Sequence, residues 1–148
     1  MDNSGVVLLK SAEKCKVVQK KLCFPSCIKS HWFLLVVNHP EKTIDYICSK
    51  GTPHIYKQYA LCVKELLEVA CGKEWSKYLV RIPLKIPKQT DATSCGIFVM
   101  KFMELWDGKK LSKKLKKKPE LMRSEFLLKL LDNSLNERQT ELYRMALA

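Results

Sequence analysis

The chain has 148 residues, of which 47% are apolar and 28% charged. A chain of this length forms one domain, and this balance is typical of a globular fold, which excludes disordered and collagen-like proteins. The longest apolar run, from Trp32 to Val37, has six residues against the roughly 20 that a membrane-spanning helix needs, so we expect a soluble protein.

Charge and cysteine usage favour an intracellular protein. Asp2 stands where a signal peptide has positive charge, so we do not expect secretion. The seven cysteines are odd in number and scattered, which indicates reduced thiols rather than a disulfide framework. Residues 108–148 hold 11 Lys or Arg against 5 acids, so this segment's excess of 6 is half of the net charge of +12. We expect the nucleus or the cytoplasm.

The first half of the chain predicts a hairpin followed by a helix. The segment from His31 to Val37 is typical of a central strand buried on both faces, and residues 38–42 are typical of a turn. The segment from Thr43 to Cys48 is then the second strand of the hairpin. From Tyr56 to Cys71 the apolar residues follow helical spacing, and Gly72 is typical of the position just after a helix.

The second half predicts an edge strand and three helices. Residues 80–86 alternate apolar side chains with Arg, Pro and Lys, and prolines restrict a strand to a sheet edge. One helix is predicted from Cys95 to Gly108 and another from Pro119 to Leu131. Ser134 and Glu137 form a capping-box pattern for a last helix. The fold class expected is α+β, with a mixed sheet and helices packed around it.

A run of seven lysines in the ten residues 109–118 marks the best candidate boundary. We therefore divide the chain into a core at 1–108, a lysine-rich connector at 109–118 and C-terminal helices at 119–148. The run is consistent both with a nuclear-import signal and with a solvated loop. Because it lacks aromatic residues between the lysines, we do not expect specific nucleic-acid recognition.

Cys95 has the setting of a nucleophile. At a helix N-terminus, the peptide dipoles and unpaired N–H groups stabilise a thiolate. Gln89 is positioned to donate to an oxyanion with the Cys95 backbone N–H, and Gly96 lets a substrate approach closely. His31 is the candidate base. From spacing alone, the alternatives stay open that Cys95 is a small core residue, His31 a structural histidine and Gln89 a solvated side chain.

Two segments carry a family resemblance. The sequence His-Trp-Phe-Leu-Leu-Val-Val-Asn at 31–38, and Pro-Lys-Gln-Thr-Asp-Ala-Thr-Ser-Cys-Gly-Ile-Phe-Val at 87–99, follow each other in this order. Together they resemble the catalytic segments of the ubiquitin-like-protein-specific protease family, the SUMO-deconjugating cysteine proteases, and in particular its divergent plant and transposon-associated branch. The resemblance covers about residues 22–108.

The resemblance implies a papain-like α+β fold and a role for each matching residue. Cys95 is implied as the nucleophile, His31 as the base, Gln89 as an oxyanion donor and Trp32 as a wall of the tunnel that admits a Gly-Gly tail. The implied reaction is thiolate attack at the carbonyl of the terminal glycine of a ubiquitin-like modifier, followed by hydrolysis of a thioester. It requires no metal or organic cofactor, and the implied partners are the modifier and its conjugates.

The sequence departs from the family at the acid of the triad. That acid is expected seventeen residues after His31, where this chain has Cys48. The nearest acid, Asp45, faces the opposite side of the strand, so it reaches the imidazole only through a bulge or a register shift. Ser94, a good helix cap, replaces the acid that often precedes the nucleophile. The second interpretation is therefore a catalytically impaired homologue that binds a modifier or another protein.

Three further features of the sequence bear on fold and function: the short segment before His31, a Cys-Cys-His spacing and the two other tryptophans. Only thirty residues precede His31, so we expect the domain to be short at its N-terminus. The spacing of Cys23, Cys27 and His31 suggests zinc, but no second ligand pair follows, and we predict no metal site. Trp75 and Trp106 are predicted to pack in the core. The sequence leaves the identity of the modifier and the oligomeric state open.

Overall fold

The structure is a computed structural model that describes residues 20–51, 53–115, 118–138, 140–141 and 144–145. A four-stranded sheet contains, in spatial order, β1 (Lys21–Ile28), β2 (His31–Asn38), β3 (Thr43–Ile47) and β4 (Leu79–Arg81). The helices are α1 (Pro53–Cys71), α2 (Cys95–Leu105) and α3 (Pro119–Leu131), and a short 3₁₀ turn covers Lys73–Lys77.

The sheet is mixed, as predicted. β2 pairs antiparallel with β1 and β3, whereas β3 and β4 pair parallel. β2 is thus an inner strand, and its residues Phe33 to Val37 are almost fully buried because helices cover both faces. The α+β class, the predicted β2–β3 hairpin and the predicted start of α2 at Cys95 are confirmed.

Two apolar clusters fill the two faces of the sheet. On one face α1 and the 3₁₀ turn pack over the odd-numbered residues of β2, including Phe33 and Leu35. On the other face α2 and α3 cover Leu34 and Val36. Trp75 lies in the first cluster and Trp106 in the second, both buried as predicted. The sheet is therefore the middle layer, and α2 lies on the face opposite to α1.

β1 is an element that the sequence analysis did not predict. Its side chains alternate between exposed and half-buried, and Pro25 pairs opposite Leu34 at the sheet edge. The two residues that join it to β2, Lys29 and Ser30, have φ values of 48° and 60°. Left-handed conformations at both positions are typical of a tight hairpin turn, but neither residue is the glycine or asparagine that would have indicated one.

The edge strand is shorter than predicted. β4 covers only Leu79–Arg81, and Leu84, which the alternation placed on the buried face, is 97% exposed. Pro83 and Pro87 have no N–H to offer to a sheet partner, so the chain leaves the sheet before them. The edge position itself is confirmed.

The C-terminal part docks α3 onto α2. Lys101 of α2, only 6% exposed, forms ion pairs with Glu104 and with Glu125 of α3. Burial lowers the pKa of Lys101, but hydrogen bonds to the two glutamates outweigh it and raise the pKa overall. Leu115 of the lysine-rich segment packs in the same cluster as Met122 of α3.

α3 has the predicted bounds, from Pro119 to Leu131. The described residues of 134–138 form turns, so no helix begins at Ser134, although residues 140–141 and 144–145 are helical. None of the helices in the described ranges is both long and apolar enough to cross a lipid bilayer. The division into core, connector and C-terminal helices stays a prediction.

Candidate active site

Cys95 is the first residue of α2 and is buried, at 4% exposure. The turn before it is held by Asp91, whose Oδ1 accepts hydrogen bonds from the backbone N–H groups of Thr93 (2.7 Å) and Ser94 (2.6 Å). A hydrogen bond with the Ser94 side chain is the main reason that the pKa of Asp91 lies below its usual value, and the two backbone N–H groups lower it further. A single carboxylate thus fixes the backbone that presents the cysteine.

Ser94 occupies the cap position, but its side chain makes no capping hydrogen bond. Its hydroxyl instead accepts a hydrogen bond from Arg123 Nη2 at 3.1 Å. The expectation that Ser94 caps the helix is therefore corrected, since Asp91 holds the turn. Through Arg123, helix α3 contacts the residue next to Cys95.

Trp32 and Gly96 bring the two sequence segments together. A Cβ atom on Gly96 would lie 3.7 Å from Trp32 Cδ1, so the indole packs beside the first turn of α2. Trp32 follows His31 and Gly96 follows Cys95, and α2 packs on β2. The Trp32 side chain is 42% exposed, which is high for a tryptophan and leaves part of its ring open to a ligand.

His31 is buried at the start of β2, and its Nε2 atom lies 3.1 Å from Cys48 Sγ. Burial lowers the pKa of His31, and the positive charge of Lys50 lowers it further. The imidazole is therefore neutral over a wider range of pH than an exposed histidine. Cys48 stands at the chain position where the resemblance expects an acid.

Asp45 does not reach this imidazole. β2 and β3 pair in unbroken register, with Asp45 opposite Val36, so the bulge that would turn its side chain around is absent from this pair. Its fully buried carboxylate binds Arg81 through two hydrogen bonds, of 2.7 Å and 2.9 Å, and accepts a third from Trp106 Nε1. Asp45 thus belongs to a half-buried ion pair on the α2 face of the sheet. Its partner, Arg81, was not predicted from the sequence.

Gln89 lies close to the residue after Cys48. Its backbone N–H donates to the Ser49 carbonyl at 2.9 Å, and its side-chain oxygen accepts a hydrogen bond from the Ser49 hydroxyl. Its Nε2 donates to the Asp91 carbonyl at 2.6 Å. A side-chain amide has two N–H groups, so this bond leaves one for an oxyanion. Gln89 therefore links the loop before Cys95 to the strand end that faces His31.

Within the described ranges, no group of three or more His, Cys, Asp or Glu side chains is placed to hold a metal ion. Cys23 and Cys27 are exposed on β1, whereas His31 directs Nε2 at Cys48. The three residues of the suggested zinc spacing thus point to different surroundings.

Comparison with solved structures identifies the fold. The SUMO protease Ulp1 with its catalytic cysteine oxidised to a sulfonic acid is 23% identical, with a TM-score of 0.58 over 70% of this chain and 49% of that one. The same protease with its catalytic cysteine oxidised to a sulfenic acid is 21% identical, with a TM-score of 0.52 over 71% of this chain and 50% of that one. The C-terminal Ulp1 protease domain in complex with Smt3, the yeast orthologue of SUMO, is 23% identical, with a TM-score of 0.46 over 54% of this chain and 38% of that one.

The fold is thus that of the papain-like cysteine proteases. The sequence matches the Ulp1 protease family, C-terminal catalytic domain, over residues 12–138, and the chain belongs to this family. It spans about half the length, or less, of these solved structures. A search of curated protein sequences found no match.

Proposed function

We propose that this chain is a cysteine peptidase that cleaves after the C-terminal Gly-Gly of a ubiquitin-like modifier, with Cys95 as nucleophile and His31 as base. Family membership supports the class of reaction. The observation that carries the proposal is the contact of Gly96 with Trp32, because it aligns the chain neighbours of Cys95 and His31. The modifier we expect is SUMO-like, since Ulp1 is a SUMO protease. The amino-acid sequences of segments 31–38 and 87–99 support membership of the plant and transposon-associated branch.

The reaction begins with proton transfer from Cys95. Because the pKa of His31 is lowered, the neutral imidazole is available to take the thiol proton as the sulfur attacks the glycine carbonyl. The oxyanion is stabilised by the Cys95 backbone N–H and by the second N–H of Gln89. His31 then protonates the leaving amine, and water hydrolyses the thioester.

Trp32 and Gly96 support selection of a glycine tail. The exposed part of the indole forms one wall beside the nucleophile, and Gly96 adds no side chain there. We propose that a tail with side chains at its last two residues is rejected, because those side chains would collide with the indole. No residue of this site requires a cofactor for the reaction.

A binding role without cleavage is the second candidate. The observation that favours it is Cys48, whose thiol cannot hold an imidazolium by charge as a carboxylate does. In a serine protease, loss of the orienting acid lowers the rate by about 10⁴. A domain with a slow active site would still recognise a modifier through Trp32 and the surrounding surface.

Hydrolysis of a fluorogenic substrate distinguishes the two candidates. SUMO and other ubiquitin-like modifiers carrying a C-terminal aminocoumarin are incubated with the chain and with Cys95→Ala. We expect release of the fluorophore that is absent with the variant. Binding of the modifier by both proteins, with no release by either, would instead establish the binding role.

A further inference from the structure

Cys48 is a thiol in contact with the imidazole of His31. Its sulfur lies 3.1 Å from His31 Nε2, which makes a pair of potential nucleophile and base in a buried setting. The mechanism proposed above uses His31 toward Cys95 and leaves the chemistry of Cys48 unused.

A cavity gives small molecules access to this thiol. The cavity has a volume of about 190 Å³ and is lined by Cys48 and by apolar side chains that include Ile82, Pro83 and Ile86. Cys48 itself is only 7% exposed, so the cavity is its route to solvent. This space is sufficient for a few small molecules the size of water, and for oxygen atoms added to the sulfur.

Two lysines lie near Cys48 and His31. Lys50 is close enough to lower the pKa of His31, and Lys88 lines the cavity. The Lys88 side chain packs on Gly51, where an added Cβ would lie 2.6 Å from its Cε atom. A sulfinate formed at Cys48 would therefore lie near the positive charge of Lys88 in the cavity and of Lys50 beside His31.

We propose that peroxides oxidise Cys48, and that its sulfinate takes the place of the acid that the family resemblance expects at this position. In the first step the thiol proton passes to His31 Nε2, and the sulfur attacks one peroxide oxygen. The O–O bond breaks as the S–O bond forms, and the departing hydroxide takes the proton to become water. A second peroxide converts the resulting sulfenic acid to sulfinic acid with loss of water, and the sulfinic acid gives its proton to solvent to become the sulfinate.

The sulfinate has the properties that the site lacks. It is anionic, and its two oxygens can accept a hydrogen bond from the N–H at Nε2, as a carboxylate does. Nδ1 then serves as the nitrogen that exchanges a proton with Cys95. This consequence for catalysis rests on the proposed function, whereas the oxidation itself does not.

The first test follows each cysteine of the full chain by peptide mass spectrometry during treatment with hydrogen peroxide. A Cys95→Ser background removes reaction at the nucleophile. The reference is Cys62, which is exposed on α1. We expect Cys48 to gain two oxygens at least about tenfold faster than Cys62, despite its burial. Oxidation of Cys62 while Cys48 stays reduced would overturn the proposal.

Two variants test the cause of this reactivity. His31→Gln removes the base, and Lys88→Gln removes one positive charge from the cavity while leaving the His31 pair intact. Each should slow oxidation of Cys48 severalfold, with the fold checked by circular dichroism. Because Lys88 is exposed, its variant stays informative if His31→Gln does not fold. Unchanged oxidation in folded Lys88→Gln would contradict the electrostatic argument.

The second test measures the His31 pKa by NMR, before and after oxidation, in the same Cys95→Ser chain. The groups that the structure places at this imidazole include Cys48, which follows β3, and Lys50. We expect the pKa to rise by about one unit or more, since an anion stabilises imidazolium. An unchanged value after oxidation would show that the sulfinate does not replace the acid. Neither test depends on peptidase activity, so a failure of the proposed function remains distinguishable.

Discussion

His31 Nε2 contacts the thiol of Cys48 at 3.1 Å, and Cys48 holds the chain position where the family resemblance expects an acid. The contact orients the ring without providing negative charge. Cys48→Asp is therefore expected to raise the rate of Cys95 acylation by about tenfold or more, because a carboxylate stabilises the imidazolium.

The matched control for this change is Cys48→Asn, because asparagine has the same shape as aspartate and no charge. Acylation is measured with an activated ester of the modifier tail, at a pH near 7. Equal rates for Cys48→Asp and Cys48→Asn would contradict the electrostatic role of this position. Thermal unfolding of both variants verifies that each one is folded.

Asp45 is expected to serve stability rather than catalysis. Removing its charge by Asp45→Asn leaves Arg81, whose side chain is 35% exposed, without its charged partner, and we expect a loss of about 1 to 3 kcal/mol of unfolding free energy. Urea unfolding measures this loss. The control is Glu41→Gln, whose ion pair with Lys109 is exposed and should contribute less than about 1 kcal/mol. A stable Asp45→Asn protein with no activity would reverse this assignment.

Trp32 is expected to matter for substrate and little for folding. Because its side chain is 42% exposed, Trp32→Ala should retain the fold but lower the rate of modifier capture at least about tenfold. Met100→Ala, at an equally exposed apolar position of α2, is the control and should capture normally. Capture of the modifier by Trp32→Ala at the normal rate would show that the indole does not contact the substrate.

Arg123 connects α3 to the nucleophile's turn through its hydrogen bond to Ser94. Arg123→Ala removes this hydrogen bond, which we expect to contribute about 1 kcal/mol to holding the turn. A loss of this size in the activation free energy makes acylation of Cys95 severalfold slower. Arg123→Lys, which retains a donor, should recover part of the rate. Arg138→Ala removes an exposed arginine elsewhere in the C-terminal region and should have no effect. Identical rates for Arg123→Ala and the unaltered chain would show that α3 does not position this turn.

The pH dependence follows from the lowered pKa of His31. Burial and the charge of Lys50 keep the imidazole neutral below its ordinary pKa of about 6.5, so the base stays active as the pH falls through that value. Lys50→Gln removes the second cause and should move the acidic limb of the acylation rate to higher pH. A pH profile of both proteins checks the sign. A shift to lower pH would contradict it.

Parts of the fold were predictable because single residues determine them. Pro119 begins α3, Gly72 follows α1 with a φ of 116°, and the apolar run of β2 requires cover on both faces. β1 was missed because its alternation is interrupted by Pro25 and its turn contains no glycine. β4 was overextended because its pattern continued past Pro83, where the hydrogen-bonding capacity of the strand ends.

The site was predictable only where neighbours in sequence determine it. Alternation along β3 placed residues 45 and 48 on opposite faces, and the structure has Asp45 with Trp106 and Cys48 with His31. The partners of Asp45 and Ser94 were not predictable, because Arg81 and Arg123 lie 36 and 29 residues away. Such pairs depend on how β4 and α3 pack, which no local pattern records.

Covalent capture determines whether Cys95 is a working nucleophile. The chain is incubated with SUMO and other ubiquitin-like modifiers that bear an electrophile at the terminal glycine, with Cys95→Ala as control, and the products are identified by intact mass. The account predicts a one-to-one adduct with the unaltered chain and none with the variant. A folded chain that forms no adduct with any modifier, or one that still forms it in Cys95→Ala, would contradict the assignment of Cys95 as the nucleophile.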